Sequence, residues 1–372
     1  MKLKYKLSLI IAGLLLFSAC SSPKKTIKLG FVGGLTGSGS DLGVDGMYGA
    51  LLAVKTINAA GGVMGRDIEL VIKNDQSDPE VALSVDQELV DLGVRFIIGH
   101  MISGVATKTV PFVNEQNVLM ISPTIAKDSL SNIDDHFIRV IPSNVTQATL
   151  LSETIIKQNP GRLGILYSNN NLLFAETFIQ ILTDNIANQE TKIGGSFAFD
   201  VNTKPDYKKL VEDLKTLKIN SLLIIASGDE VANFAQNFAL MAFHPTVFLP
   251  AWAMTNDLIV KGGKAIDGYF GVNYTQTNST APEYIQFKTS FIKEHGAEPT
   301  FAAIMAYESV MLTVNAIISS QSTDPMIIKK KITENNDYHG VFGDLLIDRT
   351  GDASRAIRLF EIVDGQFVMV KP

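Results

Sequence analysis

The sequence predicts an α/β protein built from two doubly wound parallel-sheet lobes, and three observations lead to this fold class. Short apolar segments alternate with amphipathic helical segments from Thr26 onward, a pattern typical of a parallel sheet with helices on both faces. A second series of the same kind begins near Pro142. The chain has 372 residues, which at roughly 100–200 residues per domain suffices for about two domains with their own cores.

Composition excludes several classes of protein. With 46% hydrophobic and 19% charged residues, the chain can bury a core and is not intrinsically disordered. Its formal net charge of −6 argues against a nucleic-acid-binding surface, which requires a basic footprint. The single cysteine excludes an intramolecular disulfide.

The first 25 residues predict export and attachment to a membrane. Three lysines precede an apolar run over 7–17, which is too short to span a bilayer, since spanning needs about 20 residues. Residues 1–19 therefore read as a signal peptide. The segment Leu16-Phe17-Ser18-Ala19-Cys20 resembles a bacterial lipoprotein signal, which implies lipidation of Cys20. Residues 20–25 then form a lipidated tether. An ordinary cysteine at this position is the alternative.

The elements of the first lobe follow in order. A glycine-rich turn over 33–39 ends the first strand, and a helix with apolar residues at helical spacing from Met47 to Ile57 follows it. Asp78 before Pro79 predicts an N-cap and a helix that runs to Leu92. The predicted strands are Ile27–Val32, Ile68–Lys73, Arg95–Ile98 and Val118–Ile121.

The second series repeats this order. Its predicted strands are Leu163–Tyr167, Ser196–Phe199, Ser221–Ala226 and Val247–Leu249. Its predicted helices are Leu173–Ala187, Asp206–Leu217 and Glu230–Met241. Beyond Tyr274 the pattern changes to a long helix, Phe301–Ser319, and a β-rich tail over 343–347 and 358–370.

Two neighbouring strands of the first lobe end in turns that carry hydroxyl groups, Ser103 after one strand and Thr124 after the next. In open α/β sheets ligands bind outside the carboxyl ends of the strands, where helix N-termini present backbone N–H groups. Ser103 and Thr124 are therefore candidate polar anchors for a carboxylate. The residues alone leave open the alternative that both are ordinary helix N-caps.

A family resemblance rests on several motifs in the first lobe. They are Leu35-Thr36-Gly37, the run INAAGGVMGR over 57–66, Asn74-Asp75 with Asp78-Pro79, FIIGH over 96–100 and LMISP over 119–123. The chain resembles the type I periplasmic solute-binding proteins, in the branch of the leucine/isoleucine/valine-binding protein of ABC importers. This resemblance implies the type I periplasmic binding fold, with a three-segment hinge. It places 26–142 plus 275–347 in the N-terminal lobe and 143–274 plus 348–372 in the C-terminal lobe.

The resemblance also implies a binding site in the cleft between the lobes. Ser103 and Thr124 align with positions that hold the carboxylate and ammonium of an amino acid. Leu42, Met101 and Ile102 are expected to supply apolar walls from the same lobe. A threonine of the amino-acid binders aligns with Ala126, and a tyrosine that covers the ligand aligns with Leu172.

The largest departure lies in the second lobe, where Trp252 stands at the position of the acid that holds an ammonium. Gly228 aligns with a tyrosine, and Asp229 follows it. Because a desolvated ammonium needs a charged partner, plain leucine is not the expected ligand. The expected ligand is a small apolar or aromatic solute of the amino acid, carboxylate or amide class. Two alternatives stay open. Asp229 or Glu230 serves as the ammonium partner if the alignment is shifted, or Trp252 is a core residue.

Enzymatic signals are weak. The five histidines, His100, His136, His244, His295 and His339, lack metal-ligand spacing. There is no G-x-S-x-G elbow, and the glycine turn lacks the spacing of a dinucleotide loop. No cofactor or metal is expected, and an extracellular enzyme is the remote alternative.

The predicted function is that of a lipid-anchored extracytoplasmic solute-binding protein of an ABC importer, acting by lobe closure. Its expected partners are a small solute, the permease subunits and the membrane through Cys20, with no nucleic acid. A monomer is expected, in the periplasm or on the outer face of a single membrane. The alternative is a ligand sensor of the same fold that signals to a membrane partner.

Overall fold

A computed structural model describes residues 26–371, apart from 38–39, 159–160, 202, 204, 275–278, 335–337 and 342. The predicted signal peptide, Cys20 and the tether lie outside the described residues. The architecture consists of two large sheets flanked by helices and a small three-stranded sheet. The predicted α/β class with two sheets is confirmed.

The first sheet is parallel throughout and has the order β2-β1-β3-β4-β5. Its strands are β1 Ile27–Gly33, β2 Ile68–Asn74, β3 Phe96–Ile98, β4 Leu119–Ser122 and β5 Phe137–Arg139. The strand order reverses between β1 and β3, which creates a crevice at their carboxyl ends. All residues of β3 and β4 are buried, as expected for strands covered by helices on both faces.

Three helices connect these strands: α1 Asp41–Ala59, α2 Pro79–Asp91 and α3 Ala106–Gln116. The predicted N-cap of α2 is confirmed, because the Asp78 side chain accepts hydrogen bonds from the backbone N–H groups of Glu80 and Val81. Pro79 occupies the first turn, where its missing N–H group is not needed.

The second sheet has the order β15-β14-β10-β9-β8-β6-β7. Its strands are β6 Arg162–Ser168, β7 Lys192–Phe199, β8 Ser221–Ile225, β9 Thr246–Leu249, β10 Phe270–Asn273, β14 Arg358–Val363 and β15 Gln366–Met369. The helices around it are α4 Asn144–Gln158, α5 Leu172–Ile186, α6 Tyr207–Thr216, α7 Gly228–Leu240 and α8 Asn256–Gly262. This sheet is mixed, since β14 pairs antiparallel with β10 and β15. The two-residue turn Asp364-Gly365, with both φ angles positive, reverses the chain between β14 and β15.

The remaining helices are α9 Pro282–His295, α10 Phe301–Ser320 and α11 Pro325–Glu334. Helix α10 packs along α1 and also contacts β3, β4 and α11. It is long and apolar enough to cross a membrane, but 78% of its most apolar window is buried inside the protein, as in the core helix of a globular domain. The small sheet joins β11 Tyr338–Gly340, β12 Gly343–Ile347 and β13 Ala353–Ser354.

Candidate functional site

A small cavity of about 20 Å³ lies between the carboxyl ends of the two sheets. Turns and helices that follow strands of the first sheet form one wall, and the corresponding parts of the second sheet form the other. The lining residues are Leu42, Met101, Thr124, Ala126, Ile141, Gln147, Asn171, Phe174, Ala251, Trp252, Tyr274 and Phe301. None of these lining residues, all of which lie in the described part of the chain, carries a formal charge.

The two hydroxyl-bearing turns of the first lobe are brought together as the sequence predicts. Thr124 Oγ1 donates a hydrogen bond to the carbonyl oxygen of Met101 over 2.6 Å. Ser103 Oγ accepts one from the backbone N–H of Ala126 over 3.3 Å. Thr124, Met101 and Ala126 line the cavity, so both turns are braced against each other at its wall.

Four of the nine predicted ligand-binding residues do not line this cavity. Ser103 and Ile102 are buried immediately behind it. Leu172 is 39% exposed, and its neighbours Asn171 and Phe174 line the wall instead. Asp229 lies at the start of α7 and forms an ion pair with Lys261 over 2.7 Å. The other five, Leu42, Met101, Thr124, Ala126 and Trp252, line it.

Trp252 forms part of the wall on the side of the second sheet. It lies in a short turn, Ala251–Ala253, directly after β9, and is only 4% exposed. Its ring meets Phe174 edge to face, with centroids 5.9 Å apart. Its indole Nε1–H is buried and has no hydrogen-bond partner among the described residues.

The alternative in which an acid of α7 holds an ammonium is not supported by the local geometry. Glu230 closes a capping box: its carboxylate accepts hydrogen bonds from the backbone N–H and hydroxyl of Ser227 and from the hydroxyl of Ser168. Burial raises the pKa of Glu230. A Cβ on Gly228 would lie 2.2 Å from Thr255 Oγ1, so a larger side chain does not fit there.

Sequence reasoning missed the buried polar pair Gln147 and Tyr274. Gln147 Oε1 accepts from the backbone N–H of Ala251 over 3.1 Å, and its Nε2 donates to Tyr274 Oη over 3.3 Å. Burial raises the pKa of Tyr274 well above its usual value, so its hydroxyl stays protonated. Because Gln147 and Tyr274 are 127 positions apart in sequence, no local pattern pairs them.

Two hydrogen bonds cross between the lobes beside the cavity. Asp41 Oδ2 accepts from Thr255 Oγ1 over 2.7 Å. Asn171 Oδ1 accepts from the backbone N–H of Gly104 over 3.1 Å. Burial raises the pKa of Asp41 to about 6. These bonds link α1 and the turn after β3 to elements that flank the second sheet.

His100 lies behind the same turn and is fully buried between two carboxylates. Its Nδ1 is 2.6 Å from Asp75 Oδ2, and its Nε2 is 3.1 Å from both oxygens of Asp86. Its carbonyl oxygen accepts from Ser122 Oγ over 2.8 Å. The cluster fixes the start of the Met101 turn. Among the described residues, no group of three or more His, Cys, Asp or Glu side chains is arranged to hold a metal ion.

Replacing Asp45 with asparagine is expected to stabilise the protein increasingly as pH rises. Burial raises the pKa of Asp45 to about 7, although the hydrogen bond from Thr300 Oγ1 lowers it in part. The folded state therefore holds this proton more tightly than the unfolded chain, and stability falls as pH rises from about 4 through about 7. Asp45→Asn keeps an oxygen for Thr300 and removes the charge.

We expect a gain on the order of 2 kcal/mol at about pH 8 and little gain near pH 4. Thermal unfolding at both pH values measures this difference. The exposed acid Asp184 provides the matched control, Asp184→Asn. An equal change for both variants, or no dependence on pH, would contradict the assignment.

The two sheets with facing carboxyl ends and the cavity between them have the arrangement of a solute-binding protein. A family model described as "Periplasmic binding protein" matches residues 26–366. The chain therefore belongs to the periplasmic binding protein family, which implies an extracytoplasmic location.

Individual relatives agree with this assignment. A Leu/Ile/Val-binding protein homolog from Brucella abortus is 26% identical over 336 residues, covering 88% of each chain. A crystal structure of a leucine-binding protein from Thermotoga maritima is similar with a TM-score of 0.82 and 19% identity, covering 93% of this chain and 98% of that one. A solute-binding protein from R. palustris in complex with benzoate gives a TM-score of 0.85 and 17% identity, covering 93% and 95%. The likeness to the two solved structures shows the fold.

Proposed function

We propose that the protein is a lipid-anchored receptor that captures a small apolar or aromatic solute in the interlobe cleft and delivers it to an ABC importer. The observation that carries this proposal is the uncharged lining of the cavity. Leu42, Met101, Phe174 and Trp252 are among its walls. Apolar walls with a few oriented polar groups are typical of small-molecule sites, whereas a zwitterionic ligand requires a charged partner for its ammonium.

The mechanism requires no chemistry on the ligand. A solute that contacts both walls stabilises the closed state by its differential affinity for that state. Met101 and Thr124 contact it from the first lobe, and Phe174 and Trp252 from the second. The Asp41–Thr255 hydrogen bond adds to closure, and a permease would recognise the closed form.

The relatives support the class of ligand without fixing it. The protein from R. palustris was crystallised with benzoate, and the relative from Thermotoga maritima is called a leucine-binding protein. Proteins of this fold therefore include one crystallised with an aromatic carboxylate and one named for an aliphatic amino acid. None of the described residues that line the cavity is charged. This favours an aromatic carboxylate as the class of ligand here.

Membrane attachment and the division into lobes complete the proposal. Cys20 carries the lipid, and several acyl chains on one residue would anchor the protein stably, as a single chain does not. The lobes comprise 26–142 plus 275–347 and 143–274 plus 348–372. The hinge lies where the chain passes between them.

A ligand panel on the mature chain tests the proposal, with Trp252 as the reporter. Trp252 is the only tryptophan, so its fluorescence reports directly on the cleft. We expect aromatic carboxylates or short amides to change this emission and to raise the midpoint of thermal unfolding. A ligand at 100 times its dissociation constant adds about 2.7 kcal/mol, which shifts the midpoint by a few degrees.

A pair of substitutions locates the binding. Ala126 lines the cavity and is fully buried, so Ala126→Leu fills it and is expected to abolish the ligand response. Ala239 is exposed on α7, and Ala239→Leu is the matched control. A response that persists in Ala126→Leu, while its unfolding midpoint shows a folded protein, would move the site away from the cleft. Silence across amino acids, carboxylates, amides and purines would count against the function itself.

A further inference from the structure

The orientation of the Gln147 amide determines what the cleft offers to a ligand. A backbone N–H group can only donate, so the Gln147 atom that faces the N–H of Ala251 must be the amide oxygen. The amide nitrogen then faces Tyr274 Oη, and it too can only donate. Tyr274 Oη is therefore the acceptor in this contact, and its own hydrogen remains available to a further acceptor.

Asn171 is oriented by the same logic. Its Oδ1 accepts from the backbone N–H of Gly104 across the lobe boundary, so its amide nitrogen is the end left for another partner. Asn171 is 4% exposed and lines the cavity. Tyr274 and Asn171 thus both have their acceptor atoms engaged by protein donors.

Trp252 provides the third donor. Its Nε1–H can only donate, is buried, and has no partner among the described residues. A buried polar group without a partner destabilises the protein by an amount comparable to a lost hydrogen bond. Trp252 lines the same cavity as Tyr274, and Gln147 contacts both Tyr274 and the residue before Trp252. The tryptophan and the tyrosine hydroxyl therefore lie on one side of the cleft.

On the opposite wall, none of the described lining residues carries a negative charge that could pair with a cation. Thr124 Oγ1 donates its hydrogen to the Met101 carbonyl, which leaves one neutral oxygen as an acceptor. An ammonium carries three donors and a charge, and on closure it would exchange its hydration for neutral acceptors without a charged partner. The acids near the cavity are already engaged: Asp229 by Lys261 and Glu230 by its capping box. Asp41 does not line the cavity, and its two oxygens accept hydrogen bonds from Thr255 Oγ1 and the backbone N–H of Leu42.

We propose that Trp252 and Tyr274 form a donor clamp for an oxygen acceptor of the solute, with Asn171 beside them, and that the natural solute is a carboxylate or carbonyl compound that lacks an ammonium group. This inference rests on the proposed solute-binding function and narrows its ligand class. The clamp selects by the head group of the ligand, while the apolar walls accept its hydrocarbon part.

Two matched ligand series, measured by calorimetry, test the clamp on the wild-type chain. One series keeps the leucine skeleton: 4-methylpentanoate, 4-methylpentanamide, leucine and 3-methylbutylamine. The other keeps the phenylalanine skeleton: 3-phenylpropanoate, 3-phenylpropanamide, phenylalanine and 2-phenylethylamine. We expect the acid or the amide to bind at least about tenfold more tightly than the amino acid, because burying the unpartnered ammonium opposes binding. The amine is expected to bind most weakly. Whether the acid or the amide binds more tightly identifies the head group of the natural solute.

Substitutions then assign the donors. Trp252→Phe and Tyr274→Phe each keep an aromatic ring and remove the donor. Each is expected to weaken binding of the tighter-binding ligand, and by about tenfold or more if that ligand is a carboxylate. Tyr207, whose ring packs against Phe234 away from the cavity, gives the control Tyr207→Phe, with unchanged affinity.

The outcomes distinguish failure of the donor clamp from failure of the proposed solute-binding function. Leucine or phenylalanine binding as tightly as its deaminated acid would overturn the donor clamp and leave a solute-binding protein. Equal affinities for Trp252→Phe, Tyr274→Phe and Tyr207→Phe would overturn it as well. If no member of either series or of the wider panel binds the wild type, the proposed function fails together with the clamp.

Discussion

The His100→Ala variant is expected to lose on the order of 3–5 kcal/mol of unfolding free energy, the usual cost of removing one partner from a buried ion pair. The substitution leaves Asp75 and Asp86 buried without a cation. Urea denaturation at neutral pH measures the loss. His244 is exposed, and His244→Ala is the matched control, for which we expect a change within about 0.5 kcal/mol.

The pH dependence provides a second test of the same cluster. Burial alone would lower the pKa of His100, but the carboxylates of Asp86 and Asp75 outweigh it and raise this pKa to about 10. A basic group with a raised pKa in the folded state stabilises the fold fully below its unfolded pKa of about 6.5, and this contribution is lost as pH rises towards about 10. The stability difference between wild type and His100→Ala should therefore shrink across this range.

Two results would contradict this account. A stability difference that stays constant from about pH 6.5 to about pH 10 would mean that His100 is not the cation of the cluster. A loss no larger than that of His244→Ala would mean that Asp75 and Asp86 are neutral or solvated in the folded protein. Because the Met101 turn begins at His100, ligand affinity is also expected to fall in the variant.

Local signals in the sequence predict much of the fold. Asp78-Pro79 predicts the start of α2 because an N-cap and a proline act within one turn. The predicted helix Leu173–Ala187 corresponds to Leu172–Ile186. Short apolar runs predict β1 and β8 for the same reason, since their signal lies within a few residues.

Elements without such local signals are missed. The strands Phe137–Arg139 and Phe270–Asn273 contain only two large apolar side chains each, and pairing with neighbouring strands defines them. Lys192–Phe199 begins earlier than the predicted 196–199, because the two glycines in its middle interrupt the apolar run.

The site shows the same limit more clearly. The turns with Ser103 and Thr124 are found because each follows a strand directly. Leu172 lies outside the cavity wall. The residue before it, Asn171, lines the cavity instead and accepts a hydrogen bond from Gly104. Tyr274 reaches the cavity from the end of β10, and Gln147 reaches it from α4. Only the folded chain brings these two residues together.

The Gly49→Ala variant is expected to be destabilised by at least about 2 kcal/mol, which is typical of overpacking at a rigid contact. A Cβ at Gly49 would lie 1.9 Å from the carbonyl oxygen of Ala303, so α1 and α10 must move apart. Alanine favours a helix over glycine by about 1 kcal/mol, and this gain is smaller than the expected cost. Urea denaturation of the variant measures the net change.

Gly46, one turn earlier on the same helix, provides the comparison. A Cβ there would lie 2.5 Å from Met101 Cε, the end of a flexible side chain that can change rotamer. Gly46→Ala is therefore expected to stay within about 1 kcal/mol of wild type. Because Met101 lines the cavity, its displacement should instead alter ligand affinity. If Gly49→Ala is as stable as Gly46→Ala, the contact between α1 and α10 is not rigid, and Phe301 at the start of α10 is free to adjust the cavity.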